Sequence, residues 1–488
     1  MTQANNDIKI KVPPGVNVRY YQKKAYEKWV ENQHCGIFAM ATGTGKTVTS
    51  LYCVYKELSD TELNNISAQP HLLILVPTQP LALQWNEQVL AWGFSKIYQV
   101  HSATNWRAEL HNLFNDFQYG LDDEFVIIAT YKSFTHPDFQ RMVASIPADT
   151  ILIADEAHNV GQKQVKEVIG KLSNLKRIGL TATPKRIYDP EGTKDVEAFF
   201  NDAEPYCFSY YMEDAIADGR LCKYYYYPVL VELDSSELED YIKLSIKLAK
   251  LFGSTGDSQV KESYERLLIK RKRIINQANG KIAALGEIID KLKLTGETIK
   301  YCFTYAPAGD LDIDANHETS ENKRIIRQMQ KIFQARVPGI RTHAYLGETE
   351  AREEVLDSFE KGEIDVLLAI NCLDEGVDIP RTAIAIFTSS SGNPRQYIQR
   401  RGRVLRQHKD KSFAIIFDMV VIPQIFDHQR EEEYFKVERN IVKNELMRVG
   451  YFAKLSENFY EARDVLEPAC RYYHLNIDSI IKDLEHDN

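Results

Sequence analysis

The sequence predicts an α/β protein of two parallel-sheet lobes in tandem, with a helical insertion between them and a helical C-terminal extension. Three observations carry the prediction. Short apolar runs without polar alternation recur between residues 36 and 155, and a second series runs from 301 to 418. Helix-like segments separate several of them, the signature of strand–helix–strand units. At 488 residues the chain is also too long for one ordinary core, which favours roughly two to three domains.

Taken in order, VRYYQKKAYEKWVEN at 18–32 reads as an opening helix, GIFAM as a buried strand, and Lys46 to Leu58 as a helix after a glycine-containing turn. LLILV at 72–76, FVIIAT at 125–130 and ILIAD at 151–155 read as buried parallel strands. The second series is YCFTYA from 301, THAYL at 342–346, DVLLAI at 365–370, AIAIFT at 383–388 and FAIIFD at 413–418. Between the two series lies KYYYYPVLVEL at 223–233. A strand-poor stretch follows to 297, with Leu267, Leu268, Ile274, Ile275, Ala278, Ile282, Leu285, Ile288 and Leu292 at helical spacing. The expected organisation is a first lobe at 1–215, a linker strand and helical insertion at 216–297, a second lobe at 298–420 and a helical extension at 421–488.

Composition narrows the class. Hydrophobic residues make up 44% and charged residues 26%, as in a globular protein. No apolar run approaches the roughly 20 residues that cross a bilayer, and the start MTQANNDIKIKV lacks the pattern of a signal peptide. The expectation is a cytoplasmic protein without a membrane partner. Seven scattered cysteines with no C-x-x-C pair argue against a disulfide framework or a zinc site. A net charge of -9 gives no support for a nucleic-acid partner on its own. Two local basic stripes do, Lys270 to Arg273 and Arg395 to Lys411. For the first, a solvated helix face is the simpler reading. The tyrosines 224–227 read as rings packed at a lobe edge rather than as a base-stacking platform.

Three elements carry chemistry. In CGIFAMATGTGKTVTSLY, from Cys35, a strand, a turn with Gly43 and Gly45 and a helix N-terminus aim backbone N–H groups at one point. Lys46 then suits β- and γ-phosphates, and Thr47 suits a Mg²⁺ ion. Against this stands Met40, where the general phosphate-loop pattern asks for glycine; a plain turn before a helix is the alternative. ILIADEAHN ends a buried strand on Asp155 and Glu156, where open α/β sheets bind ligands. One carboxylate suits a metal and the other an attacking water; a solvated acidic loop is the alternative. QYIQRRGRVLR at 396–406 supplies arginines of the kind that stabilise a phosphoryl-transfer transition state, unless it is an ordinary basic helix face.

In order, RYYQ, MATGTGKT, PTQPLALQW, ATYKSF, DEAH, GLTATP, CLDEGVDIP and QRRGRVLR resemble the motif series of superfamily 2 helicases and translocases. The match runs from about residue 19 to 406. GLTATP with EGVDIP is similar to the helicase subunits of type I and III restriction enzymes and to excision-repair translocases. The resemblance implies two RecA-like lobes that hydrolyse ATP with Mg²⁺ in the cleft between them. It implies nucleotide binding by Arg19, Gln22, the loop Ala41, Thr42, Gly43, Thr44 and Gly45, then Lys46 and Thr47, with Gly376 and Asp378 from the second lobe. Thr47 and Asp155 would hold the metal, with Lys46, Asp155, Glu156, Gln399, Arg403 and Arg406 catalytic. His158, Thr181 and Thr183 would couple nucleotide state to movement. Pro77, Thr78, Thr130, Tyr131 and the loop after Tyr345 would meet nucleic acid. The first loop position is often not glycine in this superfamily, so Met40 is no objection there.

The function implied is an ATP-dependent DNA helicase or double-stranded DNA translocase, in a restriction, phage-defence or repair setting. No PD…ExK run is present, so any cutting would fall to a separate nuclease or defence-system subunit. Two alternatives stand beside it: an RNA-directed DEAH-type ATPase, and a scaffold that ATP switches without nucleic-acid-stimulated hydrolysis.

Overall fold

The computed structural model describes residues 10–63, 70–119, 124–143, 145–186, 189–251, 258–307, 320–346, 349, 351–370, 379–389, 394–424 and 432–486. The chain divides into two compact units, Met1–Asp218 and Gly219–Asn488. Each is built on one all-parallel sheet, so both are α/β lobes of the kind the motif order implies.

In the first unit the strands are β1 (Cys35–Met40), β2 (His71–Val76), β3 (Ile97–Val100), β4 (Phe125–Thr130), β5 (Ile151–Asp155), β6 (Lys176–Thr181) and β7 (Phe208–Tyr210). They lie in the order β3-β4-β2-β5-β6-β1-β7. The residues of β2, β4 and β5 are all buried, which is why these strands read as unbroken apolar runs. Parallel pairing needs crossovers, and helices such as Lys46–Leu63 and Gln79–Ala91 supply them. One core gathers Ile37, Leu73, Ile127, Leu152 and Phe200 from the sheet and its covering helices.

The second unit holds β8 (Lys223–Leu233), β9 (Cys302–Tyr305), β10 (Thr342–Tyr345), β11 (Val366–Ala369), β12 (Ile384–Phe387) and β13 (Phe413–Pro423), in the order β10-β11-β9-β12-β13-β8. The segment read as a linker strand is thus an edge strand of this sheet, paired with β13 along its whole length, from Lys223 opposite Phe413 to Leu233 opposite Pro423. Its tyrosines alternate as strand residues must: Tyr224 and Tyr226 are buried, with their hydroxyls donated to the Phe452 carbonyl and Asp418 Oδ2. The insertion forms helices Ser235–Leu251, Ser258–Asn276 and Gly280–Leu294, and the chain after 431 forms four more among the described residues, the longest Glu432–Ala453.

An ionic cluster ties insertion, sheet and C-terminal helix together. Arg448 Nε donates to Asp418 Oδ2 at 2.9 Å, and Arg448 Nη2 lies 2.8 Å from Glu445 Oε2. Asp418 and Arg448 are both buried. Lys281, on the insertion helix, is buried too and donates to the Asn276 carbonyl. Burial pushes its amine down to about 7, against the pull of the Glu445 and Asp418 charges.

Two predictions follow from that cluster. Arg448→Leu strands the Asp418 charge and lowers stability to unfolding by about 3–5 kcal/mol in denaturant titrations. Between pH 7 and 9 the unfolded chain keeps the Lys281 proton that the folded chain has lost. This residue therefore makes stability rise with pH, by about 1.4 kcal/mol per unit. Lys281→Met removes that slope.

Candidate active site

Parallel strands place all their C-terminal ends at one edge of the sheet, and the first unit's motifs leave from that edge. Met40 ends β1, Thr130 ends β4, Asp155 ends β5 and Thr181 ends β6. The register keeps them level: Ala39 lies opposite Thr181, and Asp155 opposite Leu180.

The loop after β1 shows why methionine serves at position 40. Among the loop residues only Gly43 (φ 87°) and Gly45 (φ 83°) adopt the left-handed region that favours glycine. Met40 is the last residue of the strand, its side chain sunk in the core, and its contribution is a carbonyl that accepts from Lys46 Nζ at 3.3 Å. Thr44 Oγ1 closes the turn by donating to the Ala41 carbonyl at 2.7 Å. A Cβ on Gly45 would lie 3.1 Å from Gln22 Nε2, a tight approach that this side chain would have to yield to, and the positive φ is what asks for glycine there.

Gln22 is buried against this loop. Its Nε2 donates to the Gly45 carbonyl and Thr49 Oγ1 at 3.4 and 3.3 Å, and its Oε1 accepts from Arg19 N at 2.9 Å. Arg19 Nη1 in turn donates to the Tyr21 hydroxyl at 3.0 Å. Thr47 opens the helix beside Lys46. The loop also fits a polyphosphate with a metal ion: Thr42 Oγ1 is buried there without a hydrogen-bond partner among the described residues, and Thr47 and Asp155 supply the oxygen donors that Mg²⁺ prefers.

Asp155 is oriented on both oxygens. Trp85 Nε1 donates to Oδ2 at 2.9 Å and Glu156 N to Oδ1 at 3.0 Å. Burial raises its pKa, while the Trp85 hydrogen bond and the Lys46 charge pull it back down. Glu156 sits at φ 48° and ψ 57°. Such a conformation costs a non-glycine residue about 1–3 kcal/mol, and strain of this size clusters at functional sites. Here it turns the chain sharply as it leaves β5. His158 Nδ1 lies 3.4 Å from Glu156 Oε2 and 3.5 Å from Thr181 Oγ1, and Thr181 Oγ1 accepts from Thr183 N at 3.1 Å.

At the same sheet edge, Thr78 and Thr130 precede helices. Thr130 Oγ1 accepts from Ser133 N, whereas Thr78 Oγ1 is buried without a partner among the described residues. Pro77 is half-buried beside it. The Tyr131 ring is buried and its hydroxyl donates to the Asp155 carbonyl at 2.9 Å, so any contact with nucleic acid at this position falls to the backbone.

In the second unit the helix Pro394–Val404 divides its arginines. Arg400 and Arg401 are core residues. Arg401 is buried against the Tyr451 ring and donates to the Tyr451 carbonyl at 2.6 Å, while Arg400 lies over Tyr305. Lys411 is likewise structural, its Nζ donating to the Pro380, Thr382 and Val404 carbonyls. Gln399, Arg403 and Arg406 are only half-buried. The basic stripe is therefore two populations, one built into the core and one only half-buried. Gly376 and Asp378 lie outside the described residues, as do residues 347, 348 and 350 of the loop after Tyr345.

Sequence reasoning missed the residues that hold the site in place. Tyr21 donates its hydroxyl to the Thr44 carbonyl at 2.6 Å, and Trp85 and Tyr131 fix Asp155. Tyr21 and Trp85 stand inside RYYQ and PTQPLALQW with no role of their own, and Tyr131, inside ATYKSF, is expected at nucleic acid rather than under Asp155.

A parallel sheet with such a loop on one strand end, and an acidic pair two strands away, defines a phosphate-loop nucleotide hydrolase lobe. Residues 15–186 match the family model "Type III restriction enzyme, res subunit", and residues 280–408 match "Helicase conserved C-terminal domain". The two matches, with the relatives that follow, support a superfamily 2 helicase or translocase, an ATP-dependent nucleic-acid motor by class. It is 26% identical over 424 residues to the "DNA 3'-5' translocase XPB2" of Sulfurisphaera tokodaii, covering 82% of this chain and 81% of that one. It is 23% identical over 418 residues to the "General transcription and DNA repair factor IIH helicase/translocase subunit XPB" of Enterocytozoon bieneusi, with 83% of this chain and 58% of that one covered. Among solved structures, the "ATP-dependent Type ISP restriction-modification enzyme LlaBIII bound to DNA" shares the fold. Its TM-score is 0.58 at 19% identity, across 90% of this chain and 30% of that one. Several relatives are thus far longer than the stretch they share with this chain. Among the described residues, no helix is long and apolar enough to cross a membrane.

The expected roles of Glu156 and Lys46 can be told apart by mutation. Glu156→Gln should keep the affinity for a fluorescent ATP analogue within about two-fold while slowing turnover by about 10²–10⁴, as loss of a general base does. Lys46→Ala should lose both, in the same binding and phosphate-release assays.

Proposed function

We propose that this protein moves along duplex DNA, converting ATP hydrolysis at the first unit's sheet edge into steps along one strand. The observation that carries the reading is His158 Nδ1, which stands within 3.5 Å of both Glu156 Oε2 and Thr181 Oγ1. One ring nitrogen cannot serve both neighbours fully at once. A change at Glu156 during hydrolysis therefore changes what His158 offers Thr181, and with it the turn carrying Thr183 and Arg186. Arg186 Nη1 donates to the His158 carbonyl at 2.7 Å, so that turn is tied back to the same residue.

The remaining roles follow from position. Lys46 and the loop N–H groups would cradle the β- and γ-phosphates, and Arg19 and Gln22 would border the base. Thr47 and Asp155 would hold Mg²⁺, which when bound neutralises charge on the phosphate oxygens. Glu156 would take the proton of the attacking water. Gln399, Arg403 and Arg406 would face the γ-phosphate when the two units close on the nucleotide, with Gly376 and Asp378 sensing its presence. Pro77, Thr78, Thr130 and Tyr131 would meet DNA phosphates through backbone and hydroxyl groups, giving grip without reading sequence.

DNA is favoured as the track because the relatives from Sulfurisphaera and Enterocytozoon are named for DNA translocation and repair. The match to a restriction res subunit supports a role in restriction, phage defence or repair, a role we assign to the cytoplasm. We assign any DNA cutting there to a separate subunit.

Phosphate release measured with no nucleic acid, single-stranded DNA, duplex DNA and RNA in parallel tests the reading. Duplex DNA should stimulate most. Stimulation by RNA alone would move the protein to RNA-directed enzymes, and none by any nucleic acid would make it a switch. Arg406→Ala should slow stimulated turnover by about 10³ or more while analogue binding persists. Turnover at the parent rate would remove Arg406 from the mechanism.

A further inference from the structure

We propose that the connection between the two units is a relay, anchored at one end to the phosphate-loop candidate through Tyr210 and Asp218 and at the other to the backbone of Arg406. It rests on the motor reading above and adds positioning residues that the motifs do not contain.

The first anchor begins at the loop. The Tyr210 carbonyl accepts from Ala41 N at 2.9 Å. Its ring stacks on Tyr21, with centroids 3.9 Å apart and planes 10° from parallel, and Tyr21 donates its hydroxyl to the Thr44 carbonyl. Both ends of the tight turn Ala41–Thr44 are thus held by one tyrosine pair. The Tyr210 hydroxyl then donates to Asp218 Oδ2 at 2.9 Å. Asp218 ends the short helix Met212–Ala217, its N–H bonded to the Asp214 carbonyl at 2.8 Å, and is the last residue of the first unit.

The second anchor starts three residues later. Leu221 forms an antiparallel bridge with Arg406, and Cys222 N donates to the Leu405 carbonyl at 2.8 Å. Leu221 and Cys222 are both buried. Only Gly219 and Arg220 stand between the anchors, both exposed, and Gly219 (φ 62°) has nothing within 4 Å of where a side chain would begin. Three Cα–Cα steps from Asp218 to Leu221 span at most roughly 11 Å, so this connection is short. A shift of the loop reaches Asp218 through one hydrogen bond, and a shift of the connection reaches the Arg406 backbone through one bridge. Asp218 and Tyr210 position other groups and touch no reacting atom.

The test compares duplex-DNA-stimulated with basal ATP turnover in the full chain carrying Asp218→Ala, Tyr210→Phe, or both, with analogue affinity measured alongside. Asp218→Ala should leave basal turnover and affinity unchanged. Each single variant should lower the stimulated-to-basal ratio by roughly five-fold, about the net worth of one intramolecular hydrogen bond. The double variant should match the singles rather than multiply them, because both remove the same bond. Asp218→Asn, which keeps an acceptor oxygen, should recover most of the ratio. Unchanged ratios in a wild-type protein that DNA stimulates would overturn the relay alone. Equal losses of basal and stimulated turnover would make the contact merely structural and overturn it too. A wild-type protein that no nucleic acid stimulates would overturn the motor reading and the relay together.

Discussion

The parallel register of the first sheet is the constraint on which the candidate site depends. Because the strands run the same way, residues far apart in sequence emerge at a common edge: Met40, Thr130, Asp155 and Thr181 each end a strand there. A one-residue slip of β5 against β6 would turn Asp155 to the opposite face of the sheet. Unbroken burial on both faces keeps β2, β4 and β5 in the sheet's interior, and the polar residue at the end of β4 and β5 marks where each run stops. The apolar runs thus set where the carboxylates stand, and Trp85, Tyr131 and His158 refine how they point.

The second unit spends much of its charge on its own cohesion. Arg401, Lys411, Asp418 and Arg448 are all buried, and each is met by carbonyls, rings or an opposite charge. Burying a charge without a partner is expensive. The alternation inside Arg400-Arg401-Gly402-Arg403 therefore separates guanidinium groups that complete the core from those left half-buried. The same logic explains the insertion: its helix Gly280–Leu294 packs Leu285, Ile288 and Ile289 into the second core and brings Lys281 to the ionic cluster.

Central strands and the phosphate loop were legible in the sequence because burial on both faces leaves an unmistakable apolar run, and glycine marks the two positive-φ positions. Three strands of the first sheet were not. Ile97–Val100 is only partly buried, Phe208–Tyr210 has three residues, and Lys176–Thr181 begins with two basic residues. The membership of Lys223–Leu233 in the second sheet was hidden for another reason. Its partner β13 lies nearly two hundred residues away, and nothing local records that pairing. Within the site, residues that would do chemistry showed in the motifs. Tyr21, Trp85 and Tyr210 drew no role of their own, since an aromatic side chain that orients a polar one leaves the same local trace as one that fills a core.

All of this converges on movement driven by hydrolysis, and a triplex-displacement assay tests it most directly. A third strand annealed to duplex DNA reports passage of a motor without requiring the duplex to be unwound. The account predicts displacement with ATP, and none with a non-hydrolysable analogue or with the Glu156→Gln protein. Displacement that proceeds equally well without hydrolysis, or DNA-stimulated ATP turnover with no displacement, would contradict it.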